Sequence, residues 1–140
     1  MNSQFAVAVH TLTALAVSGN QRVTSEQIGE SVNTNPSFIR RVLKHLRAAH
    51  LVTSRSGVGG GLQLTKAPED ISLKMVYTAM RTTDLFPLHT NTNPDCPVGN
   101  NIAPVLAHRF ADAEADMLES LAKVSIADIA RDVLTRYQNV

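Results

Sequence analysis

A single cysteine, Cys96, is all that the 140 residues contain, so no internal disulfide forms and a reducing, cytoplasmic compartment is expected. Long apolar runs are missing as well. The longest, Phe5 to Val17, is broken by His10, Thr11 and Thr13 and falls short of the roughly 20 residues that a membrane span requires. Ahead of it stand Asn2, Ser3 and Gln4, without the positive charge of a secretory leader, and no membrane partner is expected. His10, His45, His50, His89 and His108 show no zinc-like spacing, which makes structural or surface roles the expectation and leaves no metal or cofactor predicted. The glycines near residue 60 do not make a nucleotide loop either. Gly57 and Gly59 are followed by Leu62 where a third glycine belongs, no helix is expected after them, and no P-loop lysine is present.

What is there has an ordinary globular composition, 44% hydrophobic and 18% charged, at a length that suits one domain. The net charge of +1 conceals an asymmetry. Residues 1–65 hold six bases (Arg22, Arg40, Arg41, Lys44, Arg47, Arg55) against Glu26 and Glu30, a net +4, whereas residues 66–140 hold seven bases against ten acids, a net −3. A basic half with its bases clustered at 40–47 points to a polyanionic partner.

Phe5, Val9, Leu12 and Ala16 recur at helical spacing, which predicts a first helix over residues 3–18 stopped by Gly19 and Asn20. Thr24 and Gln27 have capping-box spacing, so a short second helix starts at Ser25 and fades near Ser31. Asn33 and Thr34 make a turn, Asn35 caps, and Pro36 takes the first position of a third helix that runs to about Ala49. Ile39, Val42, Leu43 and Leu46 form its inward stripe, which turns Ser37, Arg40, Arg41, Lys44 and Arg47 outward. Two helices joined by a short turn, the second presenting bases and small hydroxyls, is how a helix-turn-helix sets a reading helix in the major groove. A solvated helix face is the plainer alternative.

Residues 51–55 and 62–65 alternate as strands around the tip Ser56 to Gly61, which predicts a β-hairpin wing. Arg55 and the hydroxyls of Thr53, Ser54 and Ser56 stand beside glycines that permit close approach to a phosphate or entry into a narrow groove. Ser72 caps a fourth helix carrying Leu73, Val76, Tyr77 and Met80. After a loop, Ile102, Val105, Leu106, Phe110, Ala113, Met117 and Leu121 follow one stripe of a long helix that starts near Asn100 and is too long for so small a domain to cover. Asp112, Glu114, Asp116 and Glu119 are expected as its solvated face. Ser125 and Asp128 start a last helix whose Ile126, Ile129, Val133 and Leu134 are expected to pack back on the bundle.

The run Asn35-Pro-Ser-Phe-Ile-Arg-Arg-Val-Leu-Lys-His-Leu46, then Leu51-Val, the tip Gly57-Val-Gly-Gly-Gly61-Leu, Ile71-Ser-Leu and Ser125-Ile-Ala-Asp128 together resemble the Rrf-two family of bacterial winged-helix transcription regulators. The resemblance covers nearly the whole chain. It implies a homodimeric regulator of double-stranded DNA, usually a repressor, whose first helix, reading helix and wing touch the operator and whose long helix makes the dimer. Carried onto this sequence, the DNA-binding candidates are Ser3, Thr24, Ser25, Ser37, Arg40, Arg41, Lys44, Arg47, Arg55, Ser56, Gly57 and Gly59, and the dimer stripe is the one that starts at Ile102. Members of the family also include iron–sulphur and nitric-oxide sensors that ligate a cluster through three cysteines in the loop before the long helix. Here that loop holds only Cys96, so a three-cysteine site cannot be assembled from one chain.

The fold expected is therefore mainly α with a small β-hairpin: a winged helix-turn-helix over residues 1–81, a sensor or effector loop over 82–101, and a dimerisation helix with a C-terminal packing helix over 102–140. The function expected is sequence-specific DNA binding, modulated by a small molecule or oxidant, and no enzymatic activity. Cys96 is the candidate sensor thiol, lying just before the long helix, whose N-terminus favours negative charge while Asp95 opposes it. Two other readings stand beside this one. A winged-helix module that binds protein would not need so many bases. A thiol enzyme would need His89 or His108 beside Cys96, and no oxyanion donors or third orienting residue are recognisable.

Overall fold

A computed structural model describes residues 3–19 and 21–139, so Asn2, and Asn20 of the expected helix stop, lie outside the described residues. The elements run in the order α1 (Gln4–Ser18), α2 (Ser25–Val32), α3 (Pro36–Ala48), β1 (Val52–Arg55), β2 (Gly61–Leu64), a 3-10 turn (Pro68–Asp70), α4 (Leu73–Met80), α5 (Pro97–Ala122) and α6 (Ile126–Gln138). Helices dominate, with one antiparallel hairpin in the register Val52 to Leu64 and Arg55 to Gly61.

The helix starts are chemically determined. Gln27 N–H donates to Thr24 Oγ1 at 3.2 Å while Thr24 N–H donates to Gln27 Oε1 at 2.9 Å, completing the capping box of α2. Phe38 N–H donates to Asn35 Oδ1 at 2.8 Å, and Pro36 comes directly after the cap, where its missing N–H costs nothing. Asn33 closes α2 in the left-handed region, φ 60°. Ser72 and Ser125 are the N-caps of α4 and α6, their hydroxyls accepting from Met75 N–H and Asp128 N–H, each at 3.1 Å.

α1 is the central element, packed against α2, α3, α4, α6 and β2. It therefore has no single core stripe. Val7, Ala8, Thr11, Leu12, Thr13 and Leu15 are buried, while Phe5, Val9 and Ala16, which carry the helical spacing with Leu12, are only half-buried. The two threonines are tolerated there because each hydroxyl donates to a carbonyl one turn back, Thr11 to Val7 O at 2.8 Å and Thr13 to Val9 O at 2.7 Å. α3 behaves as its pattern predicts, with Ile39, Val42, Leu43 and Leu46 all buried.

Two pairings tie distant segments together. Val23 bridges Leu62, with Leu62 N–H donating to Val23 O at 2.7 Å, so the entrance to α2 becomes a third partner of the wing. Ser72 bridges Ser125, flanked by Leu73 N–H to Val124 O and Ile126 N–H to Ile71 O, both at 2.8 Å. This second clamp sets the junction of α5 and α6 against the start of α4.

Three expectations about the C-terminal half are corrected. α5 starts at Pro97 and not near Asn100, because the proline suits a first helical position, and the last residues of the expected loop are helical. Glu114 is half-buried and paired with Arg81, so it is not part of a solvated face. On α6, Ile126 is fully buried and Ile129 half-buried, but Val133 and Leu134 are 48% and 43% exposed, so the packing of α6 loosens beyond its first turns.

Candidate nucleic-acid interface

The outer face of α3 is built by subtraction. Once four apolar side chains turn inward, Ser37, Arg40, Arg41, Lys44 and Arg47 have only solvent to occupy, and all five are exposed. Arg40 Nη2 donates to Ser37 Oγ at 3.1 Å, and the Arg41 guanidinium lies 5.5 Å from the centre of the Phe38 ring, a cation–π contact that orients it. Arg47 Nε donates to Ser54 Oγ at 2.9 Å, which fixes the last turn of α3 to β1. Lys44 stands between them.

None of these bases is neutralised. Among the described residues the ion pairs are Arg81 with Asp84 and Glu114, His108 with Asp112, and Arg131 with Asp128, all in the C-terminal half. Arg22, Arg40, Arg41, Lys44, Arg47 and Arg55 have no carboxylate partner there. Charge left unpaired over one side of a small domain produces a positive potential directed at solvent.

The wing continues this side. Ser56, Gly57 and Gly59 are exposed at its tip, and positive φ values at Gly57 (87°) and Gly59 (80°) let the chain turn back, with Gly60 N–H donating to Gly57 O at 3.0 Å. Thr24, Ser25, Arg47, Arg55 and Gly57 come together around one cleft at the wing root, joined by Arg22. Ser3 does not join them. It caps α1 at the end next to α4, whereas the other end of α1 faces β2. Sequence reasoning missed Arg22, an isolated base ahead of a capping box, and Val58, which stands wholly exposed at the wing tip.

Cys96 is the half-buried N-cap residue of α5, and its side chain makes no capping hydrogen bond. Of the stripe on α5, Val105 and Ala113 are exposed and Ile102, Leu106, Phe110, Met117 and Leu121 are half-covered. Phe110 meets Phe86 of the preceding loop with ring centres 5.1 Å apart. No residue of this helix is buried.

A helix-turn-helix whose reading helix is followed by a β-hairpin defines a winged helix-turn-helix fold. The family model Rrf2, described as an iron-dependent transcriptional regulator, matches residues 1–132. YwnA of Bacillus subtilis, whose name describes it as an HTH-type transcriptional regulator, is 42% identical over 130 residues, covering 92% of this chain and 96% of its own. A crystal structure described as that of a DNA-binding protein superposes with a TM-score of 0.74 at 38% identity, covering 91% of this chain and 98% of the other. IscR of T. potens shares the fold at a TM-score of 0.72 and 20% identity, over 95% and 87% of the two chains. The chain belongs to the Rrf2 family of transcriptional regulators. The iron named in the family's description finds no matching donor set in this chain: it has one cysteine, and among the described residues no three His, Cys, Asp or Glu side chains gather as a metal site. No helix among the described residues is long and apolar enough to cross a membrane.

Proposed function

We propose that the chain is a sequence-specific, DNA-binding repressor of transcription that works in the cytoplasm as a homodimer. The observation that carries this reading is the set of unpaired bases on α3 and the wing, five cations with no carboxylate partner among the described residues, joined by Arg22 at the wing root. Arg40 and Arg41 lie in the first turns of α3, where a reading helix reaches base edges, with Ser37 beside them. Lys44 and Arg47 lie further along and address phosphates, with Thr24, Ser25, Arg55, Ser56, Gly57 and Gly59 completing the surface. The dimer is isologous and built on the α5 stripe from Ile102 to Leu121, none of whose apolar side chains the single chain buries fully and of which Val105 is 56% exposed. Two such heads would present reading helices about 34–36 Å apart, one turn of duplex.

The signal acts at the root of α5. Cys96 opens that helix, and hydrogen peroxide would transfer one oxygen to its sulfur, leaving a sulfenic acid and water and altering the first turn. A small ligand seated near the same loop is the alternative effector. Operator binding measured with and without mild peroxide, for wild type and Cys96→Ser, separates the two. An oxidant effect on the wild type alone supports the thiol, and an equal effect on both proteins, or on neither, removes it.

The deciding experiment is selection of bound duplexes from random DNA by the purified protein at stated salt. A two-fold symmetric consensus is expected. The Arg40→Glu/Arg41→Glu protein should keep its helical circular dichroism and lose that binding entirely, and wild-type affinity in this variant would overturn the reading.

A further inference from the structure

At the root of the wing, the strand segment before α2, the last turn of α3 and the hairpin enclose a cleft of about 230 Å³. Three arginines line it, one from each wall: Arg22, Arg47 and Arg55. Thr24 and Ser25 form its floor at the start of α2, and Glu26 is the one carboxylate on its lining.

The walls are held in place by the fold. Leu62 N–H bonded to Val23 O pins the Arg22 side to β2, and Arg47 Nε bonded to Ser54 Oγ pins α3 to β1. Only a residue without a side chain fits at 61, where an added Cβ would stand 2.9 Å from Arg22 Cγ and 2.8 Å from Val23 O. The stem of Arg22 is thereby laid across the base of the wing. Since the bond to Ser54 occupies Nε, Arg47 keeps its terminal nitrogens available.

Three cations around so small a space repel one another, and Glu26, whose carboxylate accepts from Ser25 Oγ at 3.4 Å, offsets one charge at most. An anion between them relieves the remainder. The planar fork of arginine matches phosphate oxygens, and Ser25 and Glu26, as the first residues of a helix, have no intrahelical acceptor for their N–H groups. We propose that this cleft seats one backbone phosphodiester of bound duplex DNA. The proposal rests on the DNA-binding reading above and makes it more specific: Arg55 is directed to phosphate and not to a base edge, so the wing fixes position and carries no sequence information.

The test uses the full chain, its selected operator and an unrelated duplex of equal length over a salt series. Arg22→Ala, a change at an exposed side chain, should weaken binding to both duplexes by the same factor and lower the slope of log affinity against log salt by about 1.8, twice the value of about 0.9 for one phosphate on B-DNA, because a dimer carries two such seats. Arg22→Lys should restore the slope. Operators carrying one neutral methylphosphonate at a time should then reveal one position per half-site that costs the wild type affinity and costs Arg22→Ala nothing further. Wild-type affinity and slope in Arg22→Ala, a loss confined to the operator, or no phosphate coupled to residue 22 would each overturn the seat. In those cases the wild type still selects an operator and the DNA-binding reading stands, whereas a wild type that selects no DNA overturns both.

Discussion

α3 and α5 are both amphipathic, yet they differ in what meets their apolar side. The 13 residues of α3 bury four side chains against α1, α2, α4 and the wing, while the 26 residues of α5, about 39 Å long, bury none. α5 leans chiefly on α4, through the Arg81–Glu114 pair and the Phe86–Phe110 contact nearby. Charge divides along the same line, with unpaired bases in the first region and paired carboxylates in the second. Periodicity in a sequence thus reports a face that needs cover but not who supplies it. For α3 the cover is the chain itself, and for α5 it is, on the proposed function, a second copy.

One chemical change made in both helices separates the two kinds of cover. Leu46→Ala removes a fully buried side chain and should cost about 2–5 kcal/mol in urea unfolding. Leu106→Ala, made on the half-open stripe, should cost about 1 kcal/mol or less at dilutions that hold a monomer, and more as concentration rises. Equal, concentration-independent losses would mean that α5 is covered within its own chain.

A second contrast replaces loss of packing by charge. Leu106→Asp or Val105→Asp should leave a folded monomer by sedimentation, since the core of α1 to α4 does not depend on that stripe. The wild type should sediment as a dimer at micromolar concentration. A wild-type monomer under those conditions removes the isologous dimer.

Much of the first region is legible in the sequence because its signals are local. The pair Thr24 with Gln27 is a capping box by spacing alone, as Ser125 with Asp128 is at the start of α6, Asn35 and Pro36 mark a helix start, and the α3 stripe occupies a single face of its helix. α1 is harder to read because packing on nearly every side erases the amphipathic stripe, so helical spacing finds Leu12 but does not single out Val7, Ala8 and Leu15. Pro97 suits a loop as well as the first position of a helix, and neither Val98 nor Gly99 decides between the two, which displaces the expected beginning of α5. Arg22 is invisible for a different reason: its place in the cleft comes from the Val23–Leu62 bridge, a contact across 39 positions that no local pattern encodes.

A smaller effect tests the local signals themselves. Thr24→Ala removes one half of the α2 capping box and should cost about 1 kcal/mol in urea unfolding. It should also weaken DNA binding, since α2 forms the floor of the phosphate cleft. A loss of stability with unchanged binding would separate the cap from the interface.

The smallest effect concerns the cap of α6. Ser125 N–H donating to Asp128 Oδ2 at 2.9 Å, together with the Arg131 guanidinium, holds the Asp128 carboxyl below the usual carboxylate range. A carboxyl depressed in the folded state contributes stability that is present above its unfolded pKa and is lost as pH falls through the folded value. Asp128→Asn imitates the protonated form at every pH. The variant should therefore unfold at slightly lower urea than wild type at pH 7, and the two midpoints should converge in acid, below about pH 4, as the wild-type carboxyl takes up its proton. Midpoints that move apart in acid would show that Asp128 acts through packing and not through its charge. The effect should be small because the side chain is exposed enough for water to compete, and because α6 is anchored chiefly by the buried Ile126 and the Ser72–Ser125 bridge.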